Sequence, residues 1–256
     1  MARFLKHIGC DKCGSSDAKA MYDDGSTFCF SCRKPTSSKV SGYVASSLRP
    51  DAEEETKVVL PSDVTQNYPE HAVAWCNKYG ITVQQMLQNN MVYSKWKDQL
   101  IFTFYGNTGD LLAYQARNLN PVSKAKRYYT CGDVNNLLPI YPCRFPLSGS
   151  INNRRLVLVE DCLSAIKVAN TNLSQNDEKA LGADAMPLLG SGISRTKLTR
   201  LRPFYDVLDV FLDPDMWHKS LNIVKQAQLL GFKARPIQAD CDPKELSYYN
   251  LKWILE

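Results

Sequence analysis

Residues 155–170 read RLVLVEDCLSAIKVAN, and this stretch indicates the fold class of the second half of the chain. A short apolar run that ends at Val159 is followed by two acids and then by a helical pattern. Similar apolar runs occur at residues 207–212 and 233–237. Strands without polar alternation are typical of a parallel sheet covered by helices on both faces. We therefore predict a parallel α/β core over residues 151–256.

Acidic residues follow each of these three apolar runs. Glu160 comes directly after the first run, Asp213 and Asp215 follow the second, and Asp242 lies in the segment DCDPKE after the third. Because the carboxyl ends of parallel strands meet at one edge of a sheet, we expect these acids to converge there. Carboxylate clusters of this kind suit Mg²⁺ or Mn²⁺, the ions that handle nucleotide phosphates. Isolated acids in strand-to-helix turns are the alternative interpretation.

The region before this core, residues 58–150, contains a second predicted sheet with helices. A helix is predicted over residues 69–79 after Pro69, and two strands flank the turn at residues 106–109 as a hairpin. A basic run then follows, formed by Arg117, Lys126 and Arg127 and interleaved with tyrosines. Such a run suits a triphosphate or a nucleic-acid backbone, although a solvated loop is also consistent with it.

Four of the nine cysteines lie close together near the amino terminus. They form two CxxC pairs separated by fifteen residues: Cys10, Cys13, Cys29 and Cys32. This spacing predicts a tetrahedral Cys₄ zinc site, which has no open coordination position and is therefore structural. Redox-active or buried cysteines are the alternative. A module of this size, residues 1–36, is too small to fold on its apolar core alone, so the zinc is expected to stabilise it.

The zinc module carries positive charge beside aromatic rings. Lys12 and Arg33 lie close in sequence to Phe28 and Phe30, a combination typical of single-stranded nucleic-acid binders. The alternative is that the two phenylalanines form the module's own core. A Ser-rich segment that ends in an acidic run follows, and we predict a flexible linker over residues 37–57, with an ordered surface loop as the alternative.

The overall composition limits the possible classes of protein. The chain has 256 residues and a formal net charge of +5, which permits a nucleic-acid partner without requiring one. It has no apolar run of about 20 residues and no signal-peptide pattern at its start, so we expect neither a membrane protein nor a secreted one. The odd number of cysteines favours a reducing, cytoplasmic compartment.

Taken together, the Cys₄ zinc ribbon, the linker and the three acidic motifs resemble the DnaG-type TOPRIM primases. The similarity is to the primase half of bacteriophage primase–helicases. The segment EDCLSA from Glu160 is similar to the family's glutamate motif, FLDPD to its DxD motif, and DPKE to the acidic motif that follows. The resemblance implies an α/β fold, α+β overall, in which a β-rich zinc ribbon is linked to an RNA polymerase domain with a TOPRIM-like core.

The resemblance also implies roles for particular residues. The zinc module would recognise a single-stranded DNA template, and the polymerase domain would join ribonucleoside triphosphates into a short RNA primer. Mg²⁺ or Mn²⁺ would be held by four acids, of which the first is also a candidate base: Glu160, Asp213, Asp215 and Asp242. Nucleotides would be bound by Arg117, Lys126 and Arg127, and the template would be recognised by Lys12, Asp24, Ser26 and Arg33. Two positions depart from the family pattern, because Ser26 replaces a histidine and Ser164 replaces an aspartate.

The implied partners are a replicative helicase, fused or separate, and a DNA polymerase, in the host cytoplasm if a phage encodes the chain. The sequence contains no GxxxxGK[ST] motif, so we predict no helicase motor within it. Two other functions stay open. One is a TOPRIM nuclease or topoisomerase fragment. The other is a non-catalytic zinc-ribbon adaptor that binds single-stranded DNA, for which the three acids would have no role.

Overall fold

The computed structural model describes residues 3–36, 57–120, 126–134, 136–143, 155–171, 182–190 and 192–255. The chain forms two compact units, Met1–Thr56 and Lys57–Glu256. Residues 37–56 of the predicted linker lie outside the described residues. Among the helices of the described ranges, none is long and apolar enough to cross a membrane.

The first unit is an antiparallel meander of four short strands. In chain order they are β1 (Phe4–Ile8), β2 (Lys19–Tyr22), β3 (Thr27–Cys29) and β4 (Pro35–Thr36). Within residues 3–36 the buried apolar side chains are those of Cys10, Ala20 and Cys29. A core this small contributes little apolar burial, so another interaction must hold the sheet together.

The second unit begins with a five-stranded antiparallel sheet in sequential order and two helices. The elements are β5 (Val64–Thr65), α1 (Glu70–Asn77), α2 (Val83–Gln88), β6 (Val92–Ser94), β7 (Gln99–Tyr105), β8 (Leu111–Asn118) and β9 (Tyr128–Gly132). Helix α1 begins after Pro69, as the sequence predicts, and α2 begins with a capping box between Thr82 and Gln85. The predicted hairpin is confirmed as β7 and β8.

The rest of this unit is a parallel sheet with helices. Its elements are β10 (Arg155–Val159), α3 (Cys162–Ala169), β11 (Asp184–Pro187), α4 (Arg195–Leu201), β12 (Val207–Val210), α5 (Trp217–Leu229), β13 (Lys233–Pro236) and α6 (Tyr248–Leu255). The strand order is β11-β10-β12-β13, and every neighbouring pair is parallel. The predicted α/β core is confirmed. Strand β11 was not predicted, because its sequence DAMP is short and includes both Asp and Pro.

Strand β10 is buried on both faces, which explains its continuous apolar sequence. Val157 and Val159 pack in one core with Phe102 of the antiparallel sheet, whereas Leu156 and Leu158 face a second core with helices α4 and α5. The regions predicted as separate subdomains, residues 58–150 and 151–256, therefore share a hydrophobic core. The carboxyl edge of the parallel sheet faces the antiparallel sheet across a pocket.

A buried ion-pair network ties three strands of the parallel sheet together. Asp209 of β12 is fully buried, and its carboxylate accepts hydrogen bonds from Arg155 of β10 at 2.6 Å and from Arg235 of β13 at 2.8 Å. The pairing of β12 with β13 places Arg235 directly opposite Asp209. Both carboxylate oxygens are thereby satisfied within the sheet, as a buried charge requires.

Candidate functional site

The four cysteines of the zinc ribbon lie in two turns of similar construction. Cys10 precedes a turn closed by a hydrogen bond from the Gly14 amide to the Cys10 carbonyl at 2.9 Å. Cys29 ends β3, and its amide donates to the Lys34 carbonyl at 3.1 Å. The last residue of the first turn, Gly14, has φ +70°, and the matching residue of the second, Arg33, has φ 56°. Each CxxC pair is thus shaped by a left-handed residue just after it.

The sulfur atoms are placed as a zinc ion requires. All four Sγ atoms lie within 4.8 Å of one another, with Cys10 and Cys32 at 3.9 Å and Cys13 and Cys29 at 3.7 Å. Zn–S bonds of about 2.3 Å in tetrahedral geometry separate the sulfurs by about 3.8 Å. Hydrogen bonds from the amides of Lys12 and Cys13 lower the pKa of the Cys10 thiol, whereas burial raises that of the Cys32 thiol, and a bound zinc ion would hold both as thiolates. The four cysteines therefore fit one structural zinc.

The predicted template-recognition residues lie on exposed turns of this unit. Asp24 and Ser26 share the turn between β2 and β3, where the Ser26 amide donates to Asp24 Oδ1 at 2.9 Å. Hydrogen bonds from Ser26 lower the pKa of Asp24, so the carboxylate stays charged. Lys12 and Arg33 belong to the two cysteine turns, and both side chains are exposed.

Aromatic rings form a row on the same small sheet. Phe28 and Phe30 meet edge to face with ring centroids 5.1 Å apart, and His7 lies 4.9 Å from Phe4 and 6.4 Å from Phe30. The side chain of Phe30 is 58% exposed, so this ring is not part of the module's core. An exposed aromatic row beside basic residues is a surface on which unpaired bases can stack.

In the second unit, a pocket of about 590 Å³ lies at the carboxyl edge of the parallel sheet. One wall follows the ends of the parallel strands and carries Glu160, Asp161, Asp213, Asp242 and Lys244. The opposite wall is formed by α1, β8 and β9, and carries Trp75, Arg117, Arg127 and Tyr128. The volume lies within the range of about 300–1,000 Å³ typical of small-molecule sites. Three of the four predicted catalytic acids therefore meet in one pocket.

Two of these acids have oxygen atoms that no donor satisfies. Glu160 Oε2 and Asp213 Oδ1 are buried and have no hydrogen-bond partner among the described residues. Burial raises the pKa of Glu160, and burial together with the Glu160 charge raises the pKa of Asp213 to about 7. Two neighbouring carboxylates with buried, unsatisfied oxygens fit a divalent cation, which would relieve the repulsion that the nearby lysines only partly offset.

Asp161 and Asp242 differ from this pair because a lysine lies between them. Lys244 Nζ donates to Asp161 Oδ2 at 2.7 Å and also contacts Asp242 Oδ2. Burial opposes the charge of Lys244, but the two carboxylates outweigh it and raise its pKa. The other oxygen of Asp161 accepts from the Ser164 amide at 2.9 Å and caps helix α3. The acidic edge of the sheet thus contains both paired and unpaired carboxylates.

Arg117 is held between two aromatic rings on the opposite wall. Its guanidinium lies 5.2 Å from the Trp75 ring centroid and 4.8 Å from that of Tyr128. Its Nε is buried and makes no hydrogen bond within the described ranges, and the same is true of Lys219 Nζ at the pocket's edge. Cations presented in this way are available to an anionic ligand such as a phosphate.

The remaining predicted residues lie outside the pocket lining. Asp215 is exposed on the 3₁₀ turn Pro214–Met216, although its charge contributes to the raised pKa of Glu160. Lys126 is exposed and does not line the pocket. Ser164 is fully buried in α3, so no carboxylate occupies this position.

Several pocket residues were not identified from the sequence. Trp75 lies in an ordinary helical segment, and Lys219 lies on α5 with no motif around it. Lys244, by contrast, is a basic residue within the acidic motif DPKE. A positive charge at that position could have indicated an ion pair with the acids of the pocket. Tyr128 was noted only as part of the basic run.

Comparisons with known proteins address the fold as a whole. The sequence matches no known protein-family model. The structure is similar to the primase fragment of the bacteriophage T7 primase-helicase protein, with a TM-score of 0.52 and 18% identity over 98% of each chain. It is also similar to the zinc-binding and RNA polymerase domains of the Aquifex aeolicus primase, with a TM-score of 0.54 and 11% identity over 99% of this chain and 79% of that one.

A third similar structure is a DnaG primase catalytic domain bound to single-stranded DNA. The TM-score is 0.51 and the identity 13%, over 74% of this chain and 71% of that one. The chain thus has the fold of these primase structures, and the predicted fold is confirmed.

Proposed function

We propose that this chain is a DNA primase, a nucleotidyltransferase that joins ribonucleoside triphosphates into short RNA primers on a single-stranded DNA template. The observation that carries the proposal is the pocket that brings together two acids and two bases, each with a buried polar atom that no described residue satisfies: Glu160 Oε2, Asp213 Oδ1, Arg117 Nε and Lys219 Nζ. A metal–triphosphate complex has the matching charges, because its cation suits the acids and its phosphates suit the bases. The primase fold supports the same conclusion.

The carboxylates would hold the metal ion of the reaction. Mg²⁺ or Mn²⁺ bound at this edge would neutralise the triphosphate and help to orient the attacking 3′-oxygen toward the α-phosphorus, from which pyrophosphate leaves. Glu160 and Asp213 are the first candidates because their free oxygens are buried in the pocket. Asp215 is a further candidate from the same turn, and Glu160 is also the candidate base for the 3′-hydroxyl.

The basic wall would bind the phosphates. Arg117 cannot turn away freely because it is stacked between Trp75 and Tyr128, so its donors keep one orientation. Lys219 approaches from α5 and would contact the same triphosphate. Arg127 and Lys126 are more exposed and suit the nucleic-acid backbone better than the buried phosphates.

The zinc module would supply template recognition. Its exposed row of rings suits unpaired bases, and Lys12 and Arg33 suit the template phosphates. The charged Asp24 and the neighbouring Ser26 form a turn from which base edges could be contacted. A helicase partner is part of the proposal because the similar T7 protein is a primase-helicase. A DNA polymerase partner and a phage origin stay predictions.

The test is RNA synthesis on a pool of randomised single-stranded DNA templates with the four ribonucleoside triphosphates and Mg²⁺. Short RNAs that share a 5′ dinucleotide are the expected products, and their sequence would identify the recognition site. Asp213→Asn is expected to abolish synthesis. The matched control is Asp240→Asn, an exposed acid close to Asp242 that does not line the pocket, and it should leave synthesis unchanged.

Two results would contradict the proposal. If the chain binds single-stranded DNA, makes no RNA and is unaffected by Asp213→Asn, it is a zinc-ribbon adaptor. If it cleaves DNA in Mg²⁺ and Asp213→Asn stops the cleavage, it is a nuclease of this fold.

A further inference from the structure

The acidic edge of the parallel sheet consists of two pairs of carboxylates with different surroundings. Glu160 and Asp213 have buried oxygens that no described residue satisfies. Asp161 and Asp242 are joined by the ammonium group of Lys244. The first pair therefore has a buried oxygen on each acid that no described cation bonds, although the charge of Lys219 acts on Glu160, and the second pair is bonded by a cation of the chain itself.

We propose that Lys244 is a resident cation of the active site, which occupies the position between Asp161 and Asp242 in place of a metal ion. The chain then takes one exchangeable divalent ion, at Glu160 and Asp213, and Lys244 holds the other acids in position. This inference rests on the proposed function for the role of the divalent ion, but it concerns how many ions the protein binds.

Lys244 is fixed at both of its ends. Its side chain is 11% exposed and terminates between the two carboxylates. Its backbone carbonyl accepts a hydrogen bond at 2.8 Å from Nζ of Lys167, a buried residue of α3. The turn Pro243–Glu245 is thus fastened to α3 by two lysines, one from each side. A side chain anchored in this way does not leave its place easily.

Both oxygens of Asp161 already accept a hydrogen bond. Oδ2 accepts from Lys244, and Oδ1 accepts from the Ser164 amide as the cap of α3. A divalent ion placed between Asp161 and Asp242 would have to displace the ammonium of Lys244, and the displaced charge would need another buried partner. Ser164 supplies no carboxylate nearby to replace the lost ligand.

The charges at this edge also agree with a single divalent ion. Lys244 offsets one of the two negative charges of Asp161 and Asp242, and the charge of Lys219 acts on Glu160, so one ion of charge +2 would balance the rest of the four carboxylates. A second divalent ion would compete directly with Lys244 for Asp242. Asp242 Oδ2 therefore serves Lys244, which adds a positioning role to the metal-ligand role that the sequence resemblance implies.

The experiment measures Mn²⁺ binding to the full-length, zinc-loaded protein by equilibrium dialysis, with the zinc content checked before and after. The wild type is expected to bind one Mn²⁺ per chain, and Asp213→Asn is expected to weaken this binding at least tenfold. Lys244→Gln, which removes the charge and keeps a polar side chain, is expected to bind two. The double variant Lys244→Gln/Asp242→Asn should return to one, and Lys244→Arg should stay at one.

The wild-type result alone can overturn the inference, so the outcome does not depend on whether the variants fold. Two Mn²⁺ ions bound by the wild type, or none, would contradict it. A folded Lys244→Gln protein that still binds one ion would also contradict it. If the wild type binds one ion and Lys244→Gln binds two, but neither makes RNA, the proposed role of Lys244 is confirmed. The proposed primase activity is then wrong.

Discussion

Asp209 lies on strand β12 and Asp213 lies in the loop that follows it, yet the surroundings of the two carboxylates are opposite. Asp209 is fully buried between Arg155 and Arg235, which satisfy both of its oxygens. Asp213 has a buried oxygen without a partner among the described residues, and its pKa is raised to about 7 by burial and by Glu160. The first charge stabilises the sheet, whereas the second is available to a cation from outside.

The difference follows from the position of each acid relative to the parallel strands. Within the sheet, β12 has a neighbour on each side, so Asp209 meets arginines from both. Beyond the carboxyl ends of the strands, the neighbouring strands continue into separate loops. The acids at these ends therefore line the pocket and do not lie between two strands. The predictions below test this contrast between charges that the chain pairs and charges that it leaves unpaired.

The largest effect is expected from removal of the zinc. The four cysteine thiolates lie close together and carry the same charge, and the zinc ion is the cation that would hold them there. Zinc binding to small Cys-rich modules is worth about 10–16 kcal/mol, far more than the few buried apolar residues of the first unit supply. Chelation should abolish amide protection in residues 3–36 and preserve it in the parallel sheet, as measured by hydrogen exchange of the whole chain. Retained protection in β1–β3 would show that the metal is not structural.

The next largest effect is expected for Asp209→Ala. This substitution removes the partner that Arg155 shares with the half-exposed Arg235, and it should cost about 1.5–3 kcal/mol of unfolding free energy. Denaturant unfolding of the second unit measures the loss, with Asp206→Ala as the control because that half-exposed acid pairs with Arg202, four residues before it. A loss of less than about 1 kcal/mol, the usual value of an exposed ion pair, would mean that the pairing of Asp209 does not stabilise the sheet.

A smaller effect, on binding and not on stability, is expected for Arg117→Ala. Arg117 has no carboxylate partner in the described contacts, so its loss should weaken ribonucleoside triphosphate binding by about 10- to 100-fold, the value of a hydrogen bond to a charged group. Calorimetric titration in Mg²⁺ measures the change. Arg155→Ala serves as the comparison, because Arg155 pairs with Asp209 and does not line the pocket. This variant should lower the free energy of unfolding and leave triphosphate binding unchanged. Equal affinities of wild type and Arg117→Ala would remove Arg117 from the site.

The smallest effect is expected for Asp213→Asn on stability without divalent ions. Because the pKa of Asp213 is raised in the folded state, the folded protein binds the proton more tightly, and its stability falls as the pH rises from about 4 to 7. Asp213→Asn should remove this slope and stabilise the protein at pH 7 by about 1 kcal/mol or less, given solvent screening. Denaturant unfolding at several pH values in chelator measures the effect, and the expected stabilisation by Asp213→Asn is opposite in sign to the destabilisation expected for Asp209→Ala. Destabilisation by Asp213→Asn would mean that Asp213 has a structural partner.

The elements that could be predicted are those whose pattern lies within a short stretch of the sequence. The CxxC spacing places four sulfurs around one point because each turn is short, and the structure brings them together as expected. The apolar runs of β10 and β12 are buried on both faces, so they stand out without any knowledge of their neighbours. Strand β11 has no such run, and residues such as Trp75 carry no local sign of the pocket that they line.

The sequence by itself determined that a Cys₄ module precedes a parallel α/β core and that acids follow three of its strands. It did not determine which acids are paired, because a partner is chosen by contacts between segments that are distant in the chain. Arg155 reaches Asp209 across 54 residues, and Lys244 reaches Asp161 across 83. Only the tertiary structure decided that Glu160 and Asp213 keep free oxygens while Asp161 and Asp242 share a lysine. The physical reason is that burial and charge compensation depend on what surrounds a side chain in space, and a linear motif does not contain that information.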